Sequence, residues 1–405
     1  RLAELLPGLM RETGIDLWVA ANRVYAEDPV YLTLVPEPVF AARRTTLLVL
    51  FARGVDEGTG EDLGVERLTV SRYDLGEFYA SAWPEGGSDD AQWARLAEVI
   101  AERDPKRIGV NTSRHWAADD GLSHGLRTRL EESLPGELRA RLVPAESLCI
   151  RWIETRTEAE LALYPQLVGI ARSVIAEAFS NRVITPGATT TDDVAAYLRQ
   201  RFEDLGLDIW FHPYCNVQRE GLAQEGAIQG AAGQVIQRGD LVHTDGGIHY
   251  LRLCTDTQEM AYVLREGEDE VPAGIAAAMD LGNHWQDLLT GSFELGRAGN
   301  DVLAATRDRA AAEDIECSVY THPLGFFGHA AGPTIGMWDN QGPTPIRGDW
   351  PLHANTCYAI EGNVTVGIPE WGGQRVQIKL EQDAVFDGTQ VRYLGGRQTR
   401  FHVIR

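Results

Sequence analysis

The residues most able to do chemistry lie in the C-terminal half of the chain. The stretch HTDGGIHYLRLCTDTQE, residues 243–259, places Asp245 and Asp256 eleven positions apart among strand-forming residues and glycines. Asp245 ends an apolar run, DLVHTD, Gly246-Gly247 permits a turn or bulge, and from Arg252 the chain alternates again as RLCTDTQEMAYV. A strand, a turn and a returning strand bring the two carboxylates together on neighbouring strands. Adjacent carboxylates repel unless a proton or a cation lies between them, and hard divalent cations favour oxygen ligands. Taken alone, the pair better suits the polar ends of a hairpin. Three later stretches shift the balance toward a cation: GFFGHAAGPTIG sets His329 among small residues, NTCYAIEGNVTV ends an apolar strand on Glu361, and RVQIKLEQDAVF carries Glu381 in another. A carboxylate in a buried strand needs a partner, because unpaired buried charge is costly. Four carboxylates and one imidazole suit a di-metal site, which polarises a carbonyl and makes hydroxide available near neutral pH.

The elements that must position these groups follow from periodicity. The first 150 residues alternate helical and strand patterns: LAELLPGLMRETG, IDLWVAAN, TTLLVLF, VERLTV, AQWARLAEVIAERD, RIGVN and a further helix near 121–134. That alternation predicts an α/β N-terminal domain with a largely parallel sheet. Around RWIETRTEAELALY the texture changes, and Leu161, Tyr164, Leu167, Ile170, Val174 and Ala178 recur at helical spacing, so a long amphipathic helix opens a second domain. The expected domains are 1–152 and 153–405. Within the second, TPGATTTDDVAAYLRQRFEDLGLDIWFHP is similar to LGRAGNDVLAATRDRAAAEDIECSVYTHP, pairing Asp193-Val194 with Asp301-Val302 and His212-Pro213 with His322-Pro323. Each half reads loop, helix, strand, with Thr190 or Thr191 capping the first helix, Asn300 the second, and Gly206 closing the first. Two similar halves predict a pseudo-symmetric α+β domain with a site between them.

Composition excludes several partners. With 37 basic against 59 acidic side chains, the net charge is −22, and a field of that sign repels nucleic acid and anionic membranes. No run of 18 apolar residues predicts a bilayer span. Five cysteines (Cys149, Cys215, Cys254, Cys317 and Cys357) lie far apart without CxxC pairing, which points to a reducing compartment and a cytoplasmic location. The chain begins at Arg1, leaving room for a removed leader.

The ordered set Asp245, Asp256, His329, Glu361 and Glu381 resembles the metal site of the M24 family, which groups methionine aminopeptidase, aminopeptidase P and prolidase and whose catalytic domain has the pita-bread fold. YAIEGNVTVGIPEWGG is similar to the family segment that carries a metal-binding glutamate. The resemblance covers about residues 151–405, and the preceding α/β domain looks like the N-terminal domain of the proline-specific branch. It implies two divalent metal ions, manganese, zinc, cobalt or iron, with Asp245 on one, His329 and Glu361 on the other, and Asp256 and Glu381 bridging. Glu361 would also accept the proton of the nucleophilic water. The implied activity is hydrolysis of the Xaa-Pro bond in dipeptides or short peptides by a homodimer. The alternatives are aminopeptidase P acting on longer peptides, and a non-peptidase or binding member of the fold.

The sequence departs from that pattern at two places. The family's accessory histidine upstream of the first metal aspartate has no counterpart in GLAQEGAIQGAAGQV, nor has the one after the metal histidine in PTIGMWDNQG. His322 is the preferred replacement for proton work, His212 the second, and Asp339 can take the place of the missing downstream histidine. Arg375 and Tyr393 are candidates to hold a substrate carboxylate through a guanidinium fork and a phenol, and Arg375, Lys379 and Arg392 together favour a dipeptidase. His243 shares the side of Asp245, and His249 is expected in the turn. Trp338, Trp350 and Trp371 are candidates for a flat wall against a proline ring.

Overall fold

Strand-forming runs in the first part of the chain assemble one sheet of six strands: β1 (Leu17–Arg23), β2 (Thr45–Ala52), β3 (Val65–Ser71), β4 (Ala80–Ser81), β5 (Ile108–Val110) and β6 (Leu142–Pro144), in the order β4-β3-β2-β1-β5-β6. The computed structural model describes residues 1–73, 75–84, 86–222 and 233–405. It divides into two compact units, Arg1–Ile153 and Glu154–Arg405.

The first sheet is mixed, which corrects the expectation of a largely parallel one. β3–β4, β1–β5 and β5–β6 are parallel, but the longest pairings, β1–β2 and β2–β3, are antiparallel. No long helix crosses over between β1 and β3, and the links there return the chain antiparallel. The strand interiors Leu17, Val19, Leu47, Val49 and Val70 pack against Trp93, Leu96, Ile100, Leu126 and Leu130 of helices Asp89–Arg103 and His124–Ser133.

The second unit opens with helix Glu158–Ala178, whose start is set by a capping box between Thr157 and Glu160. Its strands are β7 (Asp208–Ile209), β8 (Tyr214–Gln218), β9 (Leu241–Gly246), β10 (Ile248–Tyr250), β11 (Leu253–Cys254), β12 (Thr257–Val263), β13 (Cys317–Val319), β14 (His322–Leu324), β15 (Thr356–Ile368), β16 (Gln374–Phe386), β17 (Val391–Tyr393) and β18 (His402–Ile404). The main sheet runs β13-β15-β16-β12-β9-β8, with β14 beside β15, β17 beside β16 and β18 beside β12. The repeated halves place helices Thr191–Asp204 and Gly299–Ala312 before β7 and β13. Thr190 caps the first helix, and Gly206 follows it at φ 70°. Asn300 does not cap the second: it lies inside the helix and hydrogen-bonds Thr344 and Asp349, tying down the loop that follows β14.

Alternation along the strands separates packing from chemistry. Val242, Ala261 and Val263 cluster with Val174, Ile175, Leu198 and Phe202 of the first helix pair. Ile360, Ile378 and Leu380 cluster with Ile275, Met279 and Trp285 of helix Ala273–Thr290. Each such buried side chain is worth roughly 1.5–3 kcal/mol. The neighbouring strand positions, among them Asp245, Glu361 and Glu381, point to the opposite face, as a period of two requires. This is the pita-bread architecture. No helix among the described residues is long and apolar enough to cross a membrane.

Candidate metal centre

Strand register places the carboxylates in one row. Asp245 on β9 stands opposite Gln258 on β12, Gln258 opposite Glu381 on β16, and Glu381 opposite Glu361 on β15. Directly opposed residues have Cα atoms about 4.5–5.5 Å apart, so neighbouring members of the row are in reach of one another. Asp256 immediately precedes β12, on the side of Gln258. β10 and β11 form the hairpin between the aspartates, and Leu251 and Arg252, at φ 49° and 63°, make its turn. His249 is on β10 rather than in that turn. Gly247 is required by contact: a Cβ there would stand 2.3 Å from Trp210 Nε1 and 2.4 Å from the Thr255 carbonyl.

Burial makes this row electrostatically costly. Asp256 and Glu381 are buried, and Asp245 and Glu361 half-buried. Two carboxylates about 4 Å apart repel by about 4 kcal/mol at an effective dielectric of about 20. Burial, followed by the charge of Glu381, holds the carboxyls of Asp245, Asp256 and Glu361 well above the usual range. Burial pushes Glu381 up to about 8. Without a cation such a cluster retains protons.

His322 completes the cluster. It begins β14, opposite Ala359, and so lies diagonally beside Glu361. Its Nδ1 stands 3.1 Å from the Pro323 carbonyl, which assigns the proton to Nδ1 and leaves a lone pair on Nε2. That Nε2 is 3.6 Å from Asp256 Oδ2, 3.7 Å from Glu381 Oε1 and 3.8 Å from Glu361 Oε2. Among the described residues Nε2 has no hydrogen-bond partner, nor have the buried Asp245 Oδ1 and Glu381 Oε1. Among the same residues three sets of donor atoms lie within 4.8 Å of one another: Asp256, His322 and His329; His322, Glu361 and Glu381; and Asp245, Asp256 and Glu381. Converging carboxylate oxygens with imidazole nitrogen beside them fit one or more divalent cations.

Of the other expected site residues, His329 joins one of these groups and the rest lie apart. His329 is exposed; its Nε2 stands 3.4 Å from the Tyr320 hydroxyl, and its ring meets Trp210 and His322 edge-on at centroid distances of 5.2 and 4.6 Å. It shares a group with Asp256 and His322, while His322 also joins the group with Glu361 and Glu381. His212 is exposed and in none of the three groups. Arg375 lies on β16 six residues from Glu381, about 20 Å along the strand, and forms an exposed ion pair with Glu316. Tyr393 stands opposite Ala384, on the face that Glu381 does not use, and packs on the helix-side core with Arg397 over its ring. The structure places both outside the row of carboxylates. Asp339 is exposed in a loop, and its charge reaches the Tyr320 hydroxyl. Trp371 is buried in the core, Trp350 pairs with His353, and Trp338 is exposed. Residues 223–232, most of the segment lacking the upstream histidine, lie outside the described residues.

Several participants were missed. Gln258 donates to Glu361 and Glu381. Asp383, fully buried, accepts the Asp256 backbone N–H at 3.0 Å. Lys379, expected only as one of the cations favouring a dipeptidase, feels the charges of Asp245 and Glu361. The signal was alternation itself: Lys379, Glu381 and Asp383 recur every second residue, as do Asp256 and Gln258. Trp210, which lies close over Gly328, had no local signal.

Residues 164–385, more than half of the chain, match the model of metallopeptidase family M24. A stretch of 148 residues is 27% identical to the uncharacterized peptidase YqhT of Bacillus subtilis (strain 168), spanning 36% of this chain and only 38% of that relative. Among solved structures, the X-Pro aminopeptidase from Thermotoga maritima MSB8 superposes with a TM-score of 0.67 at 16% identity, over 98% of this chain and 99% of that one. The Xaa-Pro dipeptidase from Bacillus anthracis superposes at 0.65 and 16%, over 99% and 98%. The N-terminal domain of FACT complex subunit SPT16 from Cicer arietinum does so at 0.63 and 10%, over 99% and 97%. Likeness at these identities establishes architecture, and activity has to be argued from the site. The family match over most of the second unit, on this fold and around this donor set, shows that the protein belongs to metallopeptidase family M24.

Proposed function

We propose that the protein is a dinuclear exopeptidase that hydrolyses the Xaa-Pro bond of short peptides. The observation that carries this is the row of Asp245, Glu381 and Glu361 faced by the unpartnered Nε2 of His322. We assign the ligands as Asp245, Asp256, His322, Glu361 and Glu381, with His322 in the role that the resemblance gave to His329. Divalent cations held there would supply Lewis acidity and an activated water. The likeness to an X-Pro aminopeptidase and an Xaa-Pro dipeptidase supports the substrate class.

The chain's own residues do the rest. Glu361 Oε2 faces the cluster and accepts a proton during attack on the carbonyl. His329, exposed and hydrogen-bonded to Tyr320, contacts the peptide at the rim and takes the place of the missing accessory histidines. Trp210, edge-on to His329, offers the flat apolar surface that a proline ring packs against. Arg375 and Arg392 are exposed, so of the three cations that favoured a dipeptidase only Lys379 stays near the carboxylates. A cytoplasmic location accords with five unpaired cysteines.

The test combines metal content with hydrolysis of Ala-Pro, Met-Pro and Ala-Pro-Ala after addition of manganese, cobalt or zinc. Cleavage of the dipeptides alone identifies a dipeptidase, and cleavage of the tripeptide an aminopeptidase. Bound metal with no cleavage of any of them would refute the proposal and favour a binding role on the same fold.

A further inference from the structure

Gln258 has one carbonyl and one NH2 group, and both ends of the amide are engaged. Nε2 lies 2.7 Å from Glu361 Oε1 and 2.8 Å from Glu381 Oε2, while Oε1 lies 2.8 Å from His243 Nε2. Two carboxylates on one side allow only the donor end of the amide to face them. The carbonyl therefore faces His243, which must carry its proton on Nε2. His243 is fully buried and its Nδ1 has no partner among the described residues, so its hydrogen bond to Gln258 is the polar contact that orients the ring.

The oxygens are sorted by this contact. Gln258 takes Oε1 of Glu361 and Oε2 of Glu381, and the complementary atoms, Glu361 Oε2 and Glu381 Oε1, are those that face His322 Nε2. Terminal carboxylate torsions are broad, so without a donor both groups would rotate and a cation would have to order them on binding. Register supports the role, because Gln258 stands directly between Asp245 and Glu381 in the row, the one neutral member among three acids.

We infer that Gln258, held by His243, is a positioning residue that presents one defined oxygen from each of Glu361 and Glu381 to the metal centre. This rests on the metal assignment above. It is tested by titrating chelator-stripped protein with Mn2+ in a calorimeter, for the wild type, Gln258→Met, His243→Leu and the double variant, with circular dichroism to verify the fold. Gln258→Met keeps the volume and removes both donors, and Mn2+ binding should weaken about 10–100-fold, as for other groups that orient metal ligands. His243→Leu should weaken it less, and the double variant should be no worse than Gln258→Met, because both act through one contact. Wild-type affinity in Gln258→Met, or losses that simply add, would overturn the inference. Should Gln258→Met not fold, His243→Leu decides alone, since unchanged Mn2+ affinity there overturns the relay. A wild type that binds neither Mn2+ nor Zn2+ would overturn the metal assignment first and this inference with it.

Discussion

The two histidines of THPLGFFGH are seven residues apart, and exchanging each for alanine separates their roles. His322→Ala removes an imidazole whose Nε2 faces three carboxylates at 3.6 to 3.8 Å. Structural zinc sites with four ligands hold about 10–16 kcal/mol, so one ligand is worth about 3 kcal/mol, or a factor of roughly 100 in Kd. His329→Ala removes an exposed ring whose hydrogen bond, to Tyr320, is 3.4 Å long. Its effect on metal affinity should stay within about threefold, below the roughly 1.4 kcal/mol that a tenfold change represents, while peptide turnover falls. The assay is Zn2+ or Mn2+ titration of chelator-stripped protein, paired with metal content by mass spectrometry and circular dichroism for the fold. If His329→Ala lost its metal while His322→Ala kept it, the geometric reasoning would fail and the roles taken from the resemblance would be restored.

Two further predictions concern stability. Asp119 in the N-terminal unit is fully buried, and burial pushes its carboxyl up to about 8, with neighbouring Asp28 pushed up to about 6. The native state therefore holds protons that the unfolded chain releases above the ordinary value of 3.8, so stability falls as pH rises toward 8, by up to about 1.4 kcal/mol per pH unit for each group. Asp119→Asn should flatten the urea midpoint against pH and exceed the wild type at pH 8; parallel curves for the two proteins would refute it. Gly362 sits at φ 156°, where a Cβ would stand 2.2 Å from the Ser318 carbonyl and 2.4 Å from the Trp285 ring. Gly362→Ala should cost about 2–3 kcal/mol in urea unfolding, and because Glu361 is adjacent, metal affinity should drop with it; an unchanged midpoint would show that the strand relaxes freely.

Much of this was legible before any coordinates. Alternation in RLCTDTQEMAYV and RVQIKLEQDAVF marked the strands, and the loop-helix-strand repeat marked the paired halves of the second unit. The N-terminal elements were legible too, but their directions were not, because period-two alternation is the same in parallel and antiparallel strands. Arg375 and Tyr393 looked close to Glu381 in sequence, yet distance along β16 removes one and the face of the sheet removes the other.

What the sequence determined by itself is which groups cannot rest alone. Carboxylates at Asp245, Asp256, Glu361 and Glu381, set in strands too apolar to be solvated, require partners whatever the fold. What only the tertiary structure decided is who those partners are. Gln258 meets Glu361 across 103 positions and Glu381 across 123, and His322 rather than His329 turns a lone pair toward the acids. Such contacts arise from the register between strands distant in sequence, and a shift of one residue would turn every side chain of a strand to the other face.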